Sequence, residues 1–216
     1  MMPPPPAAPA ALALVAHDLK NALGSLEAEL AAMIDAPDPV RAEAAYQHCT
    51  DLRRQFTQFL TLYSADVGQL QALCEDESPS DLLHFIAQTT RLKLNGTSRP
   101  LTVTVAPAEN GTPVFWFFDR RLVQMALEAA IHNAIRFAHH EIVLDVSQAG
   151  PDLVWSVEDD GEGLSGRDPE AEHATGLGTA LTRAVAEAHH LGDRKGWISL
   201  TRDPERQRTV FRMGLP

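Results

Sequence analysis

The chain has 216 residues, 44% of them hydrophobic, enough for one medium domain or two small ones, each with a modest core. Lys and Arg number 18 against 29 Asp and Glu, a formal charge of −11, which excludes a general affinity for nucleic acid or an anionic membrane and favours a protein partner with a basic rim. The N-terminal MMPPPPAAPAALALV lacks a basic region and its apolar run is broken by His17, Asp18 and Lys20, so neither a signal peptide nor a membrane span is expected. Cys49 and Cys74 lie in stretches of helical pattern without metal-ligand spacing. They are expected as buried thiols of a cytoplasmic protein.

Residues 1–10 read as a flexible proline-rich leader. From Leu12, apolar residues recur at Val15, Leu19, Leu23, Leu26, Leu30 and Met33, steps of three or four that predict one helix. Pro37 and Pro39 break it, and a second periodic run through Tyr46, Cys49, Leu52, Phe56, Phe59, Tyr63, Val67, Leu70 and Leu73 predicts another. Helices joined by so short a turn lie antiparallel, and two alone cannot cover both apolar stripes. The hairpin, residues 11–76, is therefore expected to form a dimeric four-helix bundle with a second copy.

EDESPSD (75–81) marks the domain boundary, and residues 77–216 form the second domain. Ser80 or Asp81 is expected to cap a helix through Leu82, Phe85, Ile86 and Thr89. Strands are predicted at 100–106, 113–119, 141–148, 152–159, 196–202 and 209–216, and helices at 120–140 and 178–192. Strand pairs joined by turns such as AENG and QAGPD favour a mixed or antiparallel sheet with helices on one face. The chain is α+β, a helical hairpin followed by an α/β sandwich.

His17 lies two positions from both Val15 and Leu19, which at roughly 100° per residue turns it about 160 to 200° away from them, toward solvent. A neutral imidazole is a nucleophile near neutral pH, and Asp18 beside it can orient it or accept its proton. Taken alone, a helical histidine such as His17 is more often an ordinary surface residue, and Asp18, Lys20 and Asn21 read as well as a solvated helix face.

Four short elements follow one another: His17 in AHDLKN, Asn133 in IHNAIRFA, DDGEG at 159–163 and TGLGTAL from Thr175. As an ordered set they resemble the histidine kinases of two-component signalling, and the last three resemble the wider ATPase superfamily shared with gyrase B and MutL. The resemblance covers nearly the whole chain after the leader and implies a Bergerat-type sandwich behind the hairpin. It implies that His17 is autophosphorylated from ATP and passes the group to a response-regulator aspartate. Asp18 would assist the transfer, and Asn21 would position water when the regulator's phospho-aspartate is hydrolysed. Histidine phosphotransferase or phosphatase work on the same scaffold, with a degenerate nucleotide domain, is the alternative.

The resemblance further implies that Asn133 coordinates Mg²⁺ through a hard amide oxygen. Arg136 then falls near the phosphates and Phe137 near the nucleotide. Asp160 is expected to accept from the adenine amino group while Gly161 and Gly163 let the backbone turn closely under the base. Thr175, Gly176 and Gly178 would hold phosphate oxygens where the next helix opens. The implied partners are a receiver domain, a second copy and a separate sensor protein, with no nucleic acid and no membrane. Three positions depart from the pattern. Ala22 replaces a proline that bends the helix, Ala129 replaces a second asparagine, and LSGRDPEAEHAT (164–175) is a short lid with no aromatic residue.

Overall fold

The computed structural model describes residues 8–95, 100–107, 111–161, 177–203 and 205–216, with side chains from Ala16 onward. It divides into two compact units, Met1–Leu70 and Gln71–Pro216. The first is a hairpin of α1 (Ala8–Asp35) and α2 (Pro39–Asp66). Asp38 turns the chain between them: its Oδ1 accepts the Val40 N–H at 2.9 Å, and Pro39 occupies the first helical position, where its missing N–H costs nothing. The helices pack on each other, with Leu19 and Leu26 buried on α1 and Ala45, Gln58 and Thr61 buried on α2. His48 Nδ1 lies 3.2 Å from both carboxylate oxygens of Glu29 and ties the pair together.

The second helix stops at Asp66 instead of running to Leu73. Gly68 adopts φ +69°, a conformation L residues rarely take, and so ends the helix although apolar residues continue beyond it. The boundary thus falls at 70/71, ahead of the expected 76/77, and residues 75–77 form a strand of the second unit.

That unit contains β1 (Glu75–Glu77), α3 (Pro79–Leu94), β2 (Thr102–Val105), β3 (Trp116–Phe118), α4 (Arg120–Phe137), β4 (Glu141–Ala149), β5 (Asp152–Asp159), α5 (Leu177–Ala188), β6 (His190–Leu191), β7 (Arg194–Lys195), β8 (Trp197–Asp203) and β9 (Arg208–Leu215). The main sheet has the order β2-β4-β5-β9-β8, with β2 parallel to β4 and the other pairs antiparallel. This is the mixed sheet expected. β1 pairs with β3 as a separate ribbon and β6 with β7 as a small hairpin. The cap of α3 is Ser78, whose Oγ accepts the Asp81 N–H at 3.3 Å, while Ser80 and Asp81 lie inside the helix. α5 ends at Ala188, short of the predicted 192.

Alternation on β4 buries Ile142, Leu144 and Val146, and β5 places Leu153, Trp155 and Val157 beside them. α3, α4 and α5 pack on this sheet and contribute Leu82, Ile86, Leu122, Leu127, Leu181 and Val185 to the core. Phe118 meets Trp155 edge-on, ring centroids 5.8 Å apart, an arrangement that adds about 1 kcal/mol to the burial itself. The cysteines differ from expectation: Cys49 is exposed on α2, and Cys74, partly exposed, lies in the link before β1 and not in a helix. No described helix is long and apolar enough to cross a membrane.

Candidate functional site

In the hairpin unit, His17 faces solvent with 64% of its side chain accessible, turned away from the buried Leu19 two positions on. Its Nδ1 is 3.5 Å from Asp18 Oδ1 and 3.2 Å from Asn21 Nδ2. The i,i+4 spacing sets Asn21 one helical turn beyond the imidazole. Nδ1 therefore has a carboxylate to donate to in one tautomer and an amide to accept from in the other, and Nε2 stands clear among the described residues.

In the second unit three elements converge: the C-terminal half of α4, the end of β5 and the first turn of α5. α4 is capped by Asp119, whose Oδ1 accepts the Leu122 N–H at 3.0 Å, and it carries Asn133, Arg136 and Phe137. A Cβ placed on Gly178 would lie 3.3 Å from Asn133 Nδ2, so the asparagine amide rests close against the opening turn of α5 and would have to shift to admit a larger residue. That amide has no hydrogen-bond partner among the described residues, so its oxygen is available to a ligand. Arg136 sits over the half-buried Phe137 ring at 5.5 Å. Ala129 is buried, a small residue packed into the core side of α4. Gly163, Thr175, Gly176 and the 164–175 segment lie outside the described residues.

Gly161 is required where β5 meets α4. A Cβ there would fall 2.1 Å from the Phe137 carbonyl oxygen. Arg202 Nη1 donates to the Gly161 carbonyl at 2.8 Å, and the buried Thr209 hydroxyl approaches it at 3.4 Å.

The expectation for Asp160 is corrected. Its carboxylate accepts the consecutive backbone N–H groups of His139, His140 and Glu141 at 2.8 to 3.2 Å, which pins the turn from α4 to β4 and leaves it committed. Although burial alone would raise it, the N–H groups of His140, Glu141 and His139 hold this carboxyl down at about 2. Asp159 is the better-placed acceptor. It is buried, its Oδ1 takes the Gly161 N–H at 2.9 Å, and Oδ2 has no donor among the described residues. Burial pushes its carboxyl above the usual range, with Gly161 pulling it back and Asp160 adding to the rise. The signal was present in the sequence: Asp159 continues the inward parity of Leu153, Trp155 and Val157, whereas Asp160 does not.

At the N-terminal end of α4 a buried contact joins it to the end of α5. The Asp119 N–H donates to His189 Nε2 at 3.0 Å, and His189 Nδ1–H donates to the Val185 carbonyl at 2.7 Å, which defines a neutral imidazole. Asp119 Oδ2 also accepts the Leu73 N–H at 3.0 Å. Burial pushes the His189 pKa below its ordinary 6.5, against the Val185 carbonyl and Asp119. A depressed folded pKa contributes stability that is complete above 6.5 and lost as the pH falls below it toward the folded value. Over that interval the loss approaches about 1.4 kcal/mol per pH unit. Thermal unfolding between pH 8 and pH 5 should therefore steepen below 6.5 in the wild type and flatten in His189→Gln.

Residues 118–216 match the family described as Histidine kinase-, DNA gyrase B-, and HSP90-like ATPase. No curated protein matches the chain in sequence. Among solved structures, the histidine kinase AdeS of Acinetobacter baumannii aligns at TM-score 0.70 and 22% identity, covering 92% of this chain and 96% of that one. The cytoplasmic segment of histidine kinase QseC aligns at TM-score 0.54 and 14% identity over 76% of this chain and 94% of that one. Full-length ShkA, solved with AMPPNP, aligns at TM-score 0.62 and 16% identity over 95% of this chain and 45% of that one. Residues 118–216 are thus similar to the histidine kinase-, gyrase B- and HSP90-like ATPases, in a chain that shares its fold with solved histidine kinases.

Proposed function

We propose that the chain is a histidine kinase that takes the γ-phosphoryl group of ATP onto His17 and passes it to a response-regulator aspartate. The observation that carries this reading is the Asn133 amide, without a hydrogen-bond partner among the described residues, against the first turn of α5, with the Asp159 carboxylate at the end of β5. This donor set fits a magnesium nucleotide: a hard amide oxygen for the metal or its water, and a buried carboxylate oxygen for an amino group. Mg²⁺ would neutralise phosphate charge there. Asn133 positions the phosphates, Asp159 holds the base, and Arg136 with Phe137 lines the space between.

With its proton on Nδ1, which lies 3.5 Å from Asp18 Oδ1, the His17 imidazole carries its lone pair on Nε2. The N–P bond forms there as the bond from phosphorus to the bridging oxygen of the leaving nucleotide diphosphate breaks. Asn21, 3.2 Å from the imidazole, is suited to orient water, and this supports phosphatase or phosphotransferase work on the same helix.

The hairpin is read as half of a four-helix bundle. Leu23 and Leu30 on α1, and Phe56, Leu60 and Tyr63 on α2 with Val67 at its C-cap, recur at helical spacing and remain roughly half exposed. A second copy of the chain is the occupant proposed for that face.

Asn133→Ala tests the kinase reading. Because Asn133 makes no hydrogen bond within the described protein, melting temperature should stay nearly constant while affinity for Mg²⁺·ATP, read by calorimetry, falls by about tenfold or more. A wild type that binds no nucleotide, yet accepts phosphate on His17 from a phosphorylated regulator, would leave the phosphotransferase.

A further inference from the structure

Asp159, Thr209 and Arg202 stand in one row across the main sheet. Asp159 on β5 pairs with Thr209 on β9, and Thr209 pairs with Arg202 on β8. Directly paired residues share a face, so the row continues the inward side that Trp155 and Met213 occupy. Neighbouring strands lie about 4.8 Å apart, which puts the Arg202 backbone about 10 Å from that of Asp159, an interval only a long side chain spans. The half-buried Arg202 guanidinium reaches back past Thr209: Nη1 donates to the Gly161 carbonyl at 2.8 Å and Nη2 to Gln207 Oε1 at 2.9 Å. Gly161 is thereby held by both of its backbone polar groups, since its N–H donates to Asp159 Oδ1 at 2.9 Å. The Phe137 carbonyl closes a third side, 2.1 Å from where a Cβ would lie.

The charges around this row are unevenly matched. Arg208 on β9 is paired with Glu141 of β4 at 2.6 Å, and Arg206 with Glu158 of β5 at 3.3 Å. Beyond α4, His140 lies 3.4 Å from Asp160, while Arg136 lies over Phe137, and α5 keeps Arg183 and Glu187 exposed. Arg202 donates only to neutral oxygens among the described residues, so no carboxylate of its own offsets its charge there. Asp160, next in the chain, works against ionisation of Asp159, and Arg202 and Arg208 work for it.

We propose that Arg202 is a positioning residue for the nucleotide: by fixing the Gly161 carbonyl it holds the Gly161 N–H on Asp159 Oδ1, and it sets a positive charge beside the carboxylate whose Oδ2 an amino group of the base would meet. The identity of the ligand rests on the kinase reading, whereas the coupling of Arg202 to Asp159 does not.

The test is the Asp159 carboxyl itself, followed by carbon-13 NMR of the ligand-free full chain through an acid titration and assigned with Asp159→Asn. In Arg202→Gln this carboxyl should titrate roughly half a pH unit or more above the wild type, because a nearby cation favours the charged form. Arg202→Lys should return it close to the wild-type position. The Asp160 carboxyl, held by backbone N–H groups, should not move. Calorimetry with Mg²⁺·ATP gives the second readout: Arg202→Gln should bind about tenfold more weakly. The ratio of wild-type to Arg202→Gln affinity should widen as the pH falls, since the titrations of the nucleotide and of His140 are common to both proteins. With Arg202→Lys that ratio should stay constant. A lower melting temperature with an unmoved Asp159 carboxyl would make Arg202 a structural residue and overturn the inference, as would unchanged affinity in Arg202→Gln. If the wild type binds no nucleotide, the kinase reading falls and with it the ligand assigned here, while a shifted carboxyl titration still supports the coupling of Arg202 to Asp159.

Discussion

Asp159→Asn should abolish or strongly weaken nucleotide binding while leaving the fold intact, and Asp160→Ala should do the reverse. Asparagine at 159 keeps an oxygen for the Gly161 N–H but loses the charge that an amino donor would meet. An interaction of that kind is worth roughly 1.5 to 3 kcal/mol, or about ten- to a hundredfold in affinity. Asp160→Ala strips the acceptor from the N–H groups of His139, His140 and Glu141 together. The expected cost is about 2 to 3 kcal/mol, a fall in melting temperature of about 5 to 10 °C.

The acid limb of stability provides an independent check. A carboxyl held at about 2 in the fold, against 3.8 when unfolded, stabilises the protein above 3.8 and ceases to do so as the pH falls toward 2. Asp160→Ala should lose that component, and Asp159→Asn should keep it. Nucleotide affinity that tracks Asp160 instead would reverse the assignment.

Gly161→Ala should damage both properties at once. Its Cβ would meet the Phe137 carbonyl oxygen at 2.1 Å, and both atoms belong to backbone, so β5 or the end of α4 must move. The cost is about 3 kcal/mol or more, at the upper end for a single substitution. Gly178→Ala is the informative contrast. There the added Cβ comes 3.3 Å from a side-chain amide that can rotate away, so unfolding should change little. Nucleotide affinity should fall, because the displaced group is Asn133. Equal destabilisation by both glycine substitutions would show that the Asn133 amide is locked into the core.

These contrasts also indicate what the sequence made legible. The period of α1 put His17 on the solvent side because Leu19 and Leu26 define the opposite stripe, and the structure places it there. Asn133 and Gly178 were legible as separate motifs, but their proximity depends on how α4 and α5 pack. That packing also brings together Asp119 and His189, which lie 70 positions apart and carry no local signature. The glycine pair makes both carboxylates of DDGEG candidates in the sequence, and only the structure shows that Asp160 is engaged by the turn after α4 while Asp159 keeps the inward parity of β5. α2 was overextended for a related reason: Leu70 and Leu73 keep helical spacing after Gly68 has ended the helix. Strands of two or three residues such as β1, β6 and β7 are too short to show a period at all.

The central claim is that phosphate from ATP reaches the His17 imidazole. Incubation of the full chain and of His17→Ala with Mg²⁺ and γ-labelled ATP, followed by acid and base treatment, tests it most directly. The account predicts acid-labile, base-stable label on the wild type and none on the variant. Equal label on both proteins, or none on a wild type shown to bind Mg²⁺·ATP, would contradict it.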